Sequence, residues 1–84
     1  MSYLYKYIDS ATTTTITASQ GTLHSIVVNT AAAGTITVSD ANGTIALLKA
    51  SVTEGTYLYD VNFNGYLSIV TGHADSDVTA TYKV

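Results

Sequence analysis

Apolar and polar residues alternate with a period of two over most of this chain, the repeat of half-buried β-strands. Gly34 to Ser39 is the clearest case: Ile36 and Val38 share one face, and Thr35, Thr37 and Ser39 the other. Leu23 to Asn29 is apolar on both faces, as expected of a strand buried on two sides. Thr13 to Ala18, Thr44 to Ala50, Thr56 to Phe63, Tyr66 to Thr71 and Asp77 to Val84 read as further strands. In Tyr3 to Ile8 the same period sets Tyr3, Tyr5 and Tyr7 against Leu4, Lys6 and Ile8.

Six glycines fall between these runs, at roughly the 8–12-residue spacing of strands and turns in a sandwich or barrel. Asp40-Ala41-Asn42-Gly43 and Asn64-Gly65 are hairpin signals, because Asn and Gly tolerate the positive φ that a type I′ turn demands. Ala41 to Ala50 is the one helix-tolerant stretch, but its Gly and β-branched residues favour a strand. The pattern predicts seven or eight short strands and no helix. It implies an all-β fold, a compact jelly-roll or Greek-key β-sandwich. Residues 1–10 are expected to form an extended N-terminal arm and residues 11–84 a single sandwich domain.

Composition bears on assembly. A domain of 84 residues buries only about 60–65% of the surface its unfolded chain exposes, so such domains commonly rely on disulfides, metals or partner subunits. With no cysteine, disulfides are excluded. Hydrophobic residues make up 46% of the chain and charged residues 11%, well below the usual quarter or so. Part of the surface is therefore expected to lie against other copies of the chain.

Charge narrows the partners. The net charge is −3, and Lys6, Lys49 and Lys83 are the only basic residues besides two histidines. Phosphate recognition needs a basic stripe, so nucleic acid is not an expected partner. Neither is an anionic membrane, and no apolar run approaches the roughly 20 residues of a spanning helix. The opening Met-Ser-Tyr-Leu-Tyr-Lys-Tyr does not read as a secretion signal, which leads to an expectation of synthesis in a cytoplasm.

The candidate chemistry is sparse. His73, Asp75 and Asp77 alternate after Gly72 and could be drawn as a metal loop. They lack both the oxygen count of a calcium site and the nitrogen and sulfur ligands of a zinc site, so solvated turn chemistry is the better reading. His24, between Leu23 and Ser25, reads as a hydrogen-bonded strand histidine. A triad of Ser25, His24 or His73, and Asp60 can be drawn, but alternation would point His24 and Ser25 to opposite faces, so that pair is not expected to carry the proton transfer. No catalytic residue, cofactor or metal is expected. Thr-x-Thr pairs at Thr35/Thr37, Thr79/Thr81 and within Thr13 to Thr17 are read as outward faces of strands, and Asn42-Gly43-Thr44 as a turn rather than a glycosylation acceptor. Tyrosine, seven residues in all, is the remaining enrichment, and Tyr is favoured at interfaces for its rigid, amphipathic surface. Tyr57 and Tyr59 are candidates for core or subunit interface. Tyr3, Leu4, Tyr5, Tyr7 and Ile8 are candidates for contact with a neighbouring molecule.

The run Gly21-Thr22-Leu23-His24-Ser25-Ile26-Val27-Val28-Asn29 is followed by Gly34-Thr35-Ile36-Thr37-Val38-Ser39-Asp40 and by Leu58-Tyr59-Asp60-Val61. Leu67-Ser68-Ile69-Val70-Thr71 and Asp77-Val78-Thr79-Ala80-Thr81-Tyr82 complete the series. In this order the motifs resemble a group of small β proteins encoded by tailed phages, some of them similar to capsid decoration (cement) proteins. The resemblance spans about Ala11 to Tyr82. It implies a non-enzymatic virion protein made in the host bacterial cytoplasm. The expected form is a homotrimer on the capsid surface that binds and stabilises the major capsid protein lattice. A carbohydrate- or receptor-binding module of a phage head or tail fibre is the alternative.

Overall fold

The alternating runs become eight strands: β1 (Leu4–Ile8), β2 (Thr12–Thr17), β3 (Gly21–Thr30), β4 (Ile36–Asp40), β5 (Gly43–Leu48), β6 (Gly55–Phe63), β7 (Leu67–Thr71) and β8 (Asp77–Lys83). The structure is a computed structural model and describes residues 3–84. Two four-stranded sheets form, in the orders β1-β8-β3-β6 and β2-β7-β4-β5. Every neighbouring pair is antiparallel. β1 pairs with β8, β2 with β7, β3 with β6 and β4 with β5, so the chain is one long hairpin ribbon folded over itself. Pairing of β3 with β8 and of β4 with β7 closes the two sheets. This is a jelly-roll sandwich.

The inward positions follow the pleat. Leu23, Ile26, Val28, Phe63, Val78 and Ala80 from the first sheet meet Ile36, Val38, Leu48, Leu67 and Ile69 from the second. Ile36 and Val38 face inward as their alternation predicts. At roughly 25 cal/mol per Å² of apolar area removed from water, this layer is the main stabilising term.

Three expectations are corrected. Asn64-Gly65 does not close a hairpin, because β6 and β7 belong to different sheets. Gly65, at φ 80°, instead turns the chain across the sandwich, and a Cβ there would lie 2.7 Å from the Ala41 Cβ. The β4–β5 turn is not type I′ either: Gly43 has φ 130°, but Asn42 is not among the positive-φ residues. The Asn42 N–H instead donates to Asp40 Oδ1 at 2.9 Å, an Asx-type closure. Finally, the segment expected as an arm is β1, an edge strand in register with β8 from Leu4↔Tyr82 to Ile8↔Val78. Ile8 is 3% exposed and belongs to the core. Strand pairing and one anchored side chain hold the segment against its own domain. The first two residues of the expected arm lie outside the described residues.

Polar pins hold the places where the ribbon folds over. Asp40 is buried, and while Oδ1 caps its own turn, Oδ2 accepts the Asn64 N–H at 3.0 Å. The Ala41 N–H donates to the Asn64 carbonyl at 3.1 Å beside it. At the β1–β2 crossing, the buried Thr71 hydroxyl donates to the Ser10 carbonyl at 2.5 Å and accepts the Thr12 N–H at 3.1 Å. The loops after β3 and β7 also approach closely, since a Cβ on Gly34 would lie 2.5 Å from the Gly72 carbonyl carbon.

Asp40→Ala leaves two N–H groups without their acceptor, each costing about 1–3 kcal/mol. The variant is expected to lose about 2–4 kcal/mol in urea unfolding, with Asp40→Asn, which keeps one acceptor oxygen, losing less. Equal stability of Asp40→Ala and the parent would remove the pin from this account.

Candidate binding face on the first sheet

The register of the first sheet defines its outer face. Thr79 and Thr81 alternate with Val78 and Ala80, which are fully buried, so the two threonines point outward. Their partners build two rows across the strands: Tyr7, Thr79, Val27 and Thr56, then Tyr5, Thr81, Ser25 and Leu58. Small and β-branched residues make the floor, between a tyrosine edge on β1 and Leu58 on β6. Tyr5 is 72% exposed and Leu58 66%, the two most exposed large apolar side chains among the described residues. Tyr3 and Tyr7 are each about half exposed.

A bulge shapes one end of this face. Between Leu23 and Ser25 the register shifts, so that Tyr59 and Asp60 of β6 oppose the single residue His24. Asp60 adopts φ 49°, which lets it serve as the extra residue. Leu23 and Ile26 are both fully buried, leaving two residues rather than one to point outward between them. The expectation that His24 and Ser25 face opposite ways therefore fails at this irregularity.

Even on one face, these residues do not form a nucleophilic triad. His24 Nδ1 lies 2.6 Å from Asp60 Oδ1. The Ser25 hydroxyl is buried and bonded to the Thr81 hydroxyl at 2.5 Å. Among the described residues no hydrogen bond joins Ser25 to His24, and a base must reach the nucleophile to activate it. His24 instead supports an aromatic: the Tyr3 ring stacks on it at 4.3 Å and 23°, with Lys83 Nζ 5.2 Å from the Tyr3 centroid. The arrangement orders a tyrosine.

The remaining candidates separate. Asp75 donates its N–H to His73 Nδ1 at 3.1 Å within the turn, whereas Asp77 accepts from Asn29 Nδ2 at 3.1 Å on β3. Among the described residues no group of three potential metal ligands converges. Tyr57 and Tyr59 lie on the inner side of β6, half-buried against the core, and the Tyr57 hydroxyl donates to the Thr53 carbonyl. Ile8, expected at an interface, is enclosed in the core, while Tyr3, Leu4, Tyr5 and Tyr7 are exposed. Leu58 was missed from the sequence, where the Tyr57-Leu58-Tyr59 alternation does not say which parity faces out. A recess of about 280 Å³ lined by Gln20, Gly21, Thr22, Asn62, Phe63 and Asn64 lies beside the face, just under the roughly 300–1,000 Å³ of ligand pockets.

Two tyrosines are perturbed. Hydrogen bonding to Asp77, then burial and the charges of Asp77 and Asp9, raise Tyr7 above the ordinary value of 10.0. Burial, with Tyr57 adding to it, raises Tyr59. Comparison with protein-family models, curated proteins and solved structures gives no match.

A pKa raised in the fold favours the neutral phenol. Its contribution to stability is complete below the unfolded value near 10.0 and is lost as pH climbs through the raised values. Tyrosinate absorbance is expected to show two late-titrating groups, one absent in Tyr7→Phe and the other in Tyr59→Phe. The thermal midpoint should decline above that pH.

Proposed function

We propose that this chain is a non-enzymatic phage virion protein, a head decoration protein that binds the major capsid protein lattice as a homo-oligomer. The observation that carries the reading is the outer face of the first sheet, where Tyr5 and Leu58 stand exposed across a floor of Thr81 and Ser25. Isolated exposed apolar residues are ordinary, but large side chains gathered on one face suit a protein partner. The ordered resemblance of the Gly21, Gly34, Leu58, Leu67 and Asp77 motifs to small phage virion proteins supports the setting. A jelly roll with its core between the sheets leaves this face free to dock.

The second reading is a glycan-binding module of a head or tail fibre. Tyr5 favours it, because an exposed ring beside the Thr81 hydroxyl could stack on a sugar while the rim supplies hydrogen bonds.

Leu58→Asp is expected to fold, judged by circular dichroism, because the side chain lies outside the core. Burying a leucine contributes about 1.5–3 kcal/mol, so head occupancy should weaken about ten- to a hundredfold at limiting protein. Full occupancy by Leu58→Asp would overturn the face as the docking site. Failure of the parent protein to copurify with heads, combined with retention on a glycan column that Tyr5→Ala abolishes, would establish the second reading.

A further inference from the structure

Each sheet ends in two edge strands, β1 and β6 in the first and β2 and β5 in the second. Three of the four are interrupted. Thr15↔Ser68 is followed by Thr17↔Leu67, leaving Ile16 as an extra residue in β2. Val38↔Ala46 is followed by Ser39↔Thr44, leaving Ile45 extra in β5. In β6, Tyr59 and Asp60 together oppose His24. A bulge twists an edge away and breaks the row of free backbone groups that another strand would need. β1 alone runs from Leu4 to Ile8 in unbroken register with its neighbour.

From this contrast we infer that β1 is an interaction edge, and that its partner is β1 of a second copy, paired antiparallel about a two-fold axis. This deepens the homo-oligomer of the proposed function, and it sets a two-fold assembly in place of the homotrimer that the resemblance implies. A two-fold axis normal to the sheet must pass through a residue pair, so the possible registers are few. Centring on Lys6 gives the fullest overlap within the strand but sets Lys6 opposite its own copy, and like charges directly opposite are destabilising. Centring on Tyr7 sets Tyr5 opposite Asp9, an aromatic ring against a carboxylate. Centring on Tyr5 pairs Leu4 to Tyr7 of the strand together with Tyr3 just before it, and sets Tyr5 opposite Tyr5, Tyr3 opposite Tyr7 and Leu4 opposite Lys6. Every pair is then aromatic with aromatic, or aliphatic with the stem of a lysine. Lys6, pointing to the inner side, discriminates between registers. The pairing also joins the outer faces of two copies, so that a tyrosine-lined seam lies between two Leu58 side chains.

The chain has no cysteine, so single introduced cysteines report the register cleanly. Opposed Cβ atoms on paired strands lie about 4.5–5.5 Å apart, close to disulfide reach. Purified Tyr5→Cys is expected to form a disulfide-linked dimer under mild oxidation, whereas Leu47→Cys, exposed on bulged β5, is not. Light scattering of the parent should give twice the 8.8 kDa chain mass or an even multiple. Tyr5→Lys and Tyr5→Glu should each halve that mass while keeping the circular dichroism of the parent, and mixing them should restore it. A monomeric or three-copy parent, equal oxidation of the two cysteine variants, or failure of the mixture to recover mass would overturn the proposal. These measurements use protein without capsids, so their failure stays distinct from failure of head attachment, which copurification reads.

Discussion

The wrapping of the chain depends on one buried carboxylate. A jelly roll is a hairpin whose arms are bent from one sheet to the other, and its tip here is the β4–β5 turn. Left to itself, that turn would specify only a local hairpin. Asp40 joins it to the β6–β7 corner by accepting N–H groups from both. A buried carboxylate must find donors, and Asp40 finds them in the backbone of this corner, where no strand ladder pairs the Asn42 and Asn64 N–H groups. The Asp40 side chain completes the turn and fixes how far the fourth pair of strands lies over the third. Gly65 then becomes necessary, because the junction brings the corner so close to Ala41 that a Cβ has no room. Thr71 acts in the same way where β1 passes into β2.

Those contacts explain which parts of the fold were legible. Strand positions and the inward set were readable because burial repeats every second residue, as at Ile36 and Val38. Pairing partners were not. Asn64-Gly65 carries the same local signal as a hairpin turn, and only the competition of β2 and β4 for β7 decides against it. Residues 3–8 alternate identically whether they extend as an arm or pair with β8, so pattern alone could not distinguish the two. The deciding contribution is Ile8, whose burial requires the strand to lie down on the sheet.

The candidate face was half legible for a related reason. Tyrosine enrichment pointed to the β1 edge, and Tyr3, Tyr5 and Tyr7 are exposed together there. On β6 the enriched residues turned inward and Leu58 took the surface, because Val61 and Phe63 fix the parity of that strand from the core side. Bulges were invisible as well. One extra residue near His24 changes which side chains share a face, and nothing in the Leu23-His24-Ser25 triplet announces it. The inference that His24 and Ser25 diverge was sound for a regular strand, and the αL conformation of Asp60 across the sheet defeated it.

The chemistry of this face suits recognition by shape. Binding costs the freedom of every side chain it orders, and tyrosine, with two χ angles, loses little. Tyr3 has already lost part of that freedom to the His24 ring. Its floor of Thr79, Thr81 and Ser25 is short and β-branched or hydrogen-bonded, so it too is ordered before any partner arrives. Long flexible charges are confined to Lys83 at one end, and Asp60 is held by His24. A surface of this kind forgoes the electrostatic steering that speeds encounter. It fits contacts made once and kept, at high local concentration, rather than rapid exchange between partners. The bulges of β2, β5 and β6 complement that arrangement by closing off other routes to strand pairing, which leaves one regular edge and one tyrosine- and threonine-rich face open to a partner.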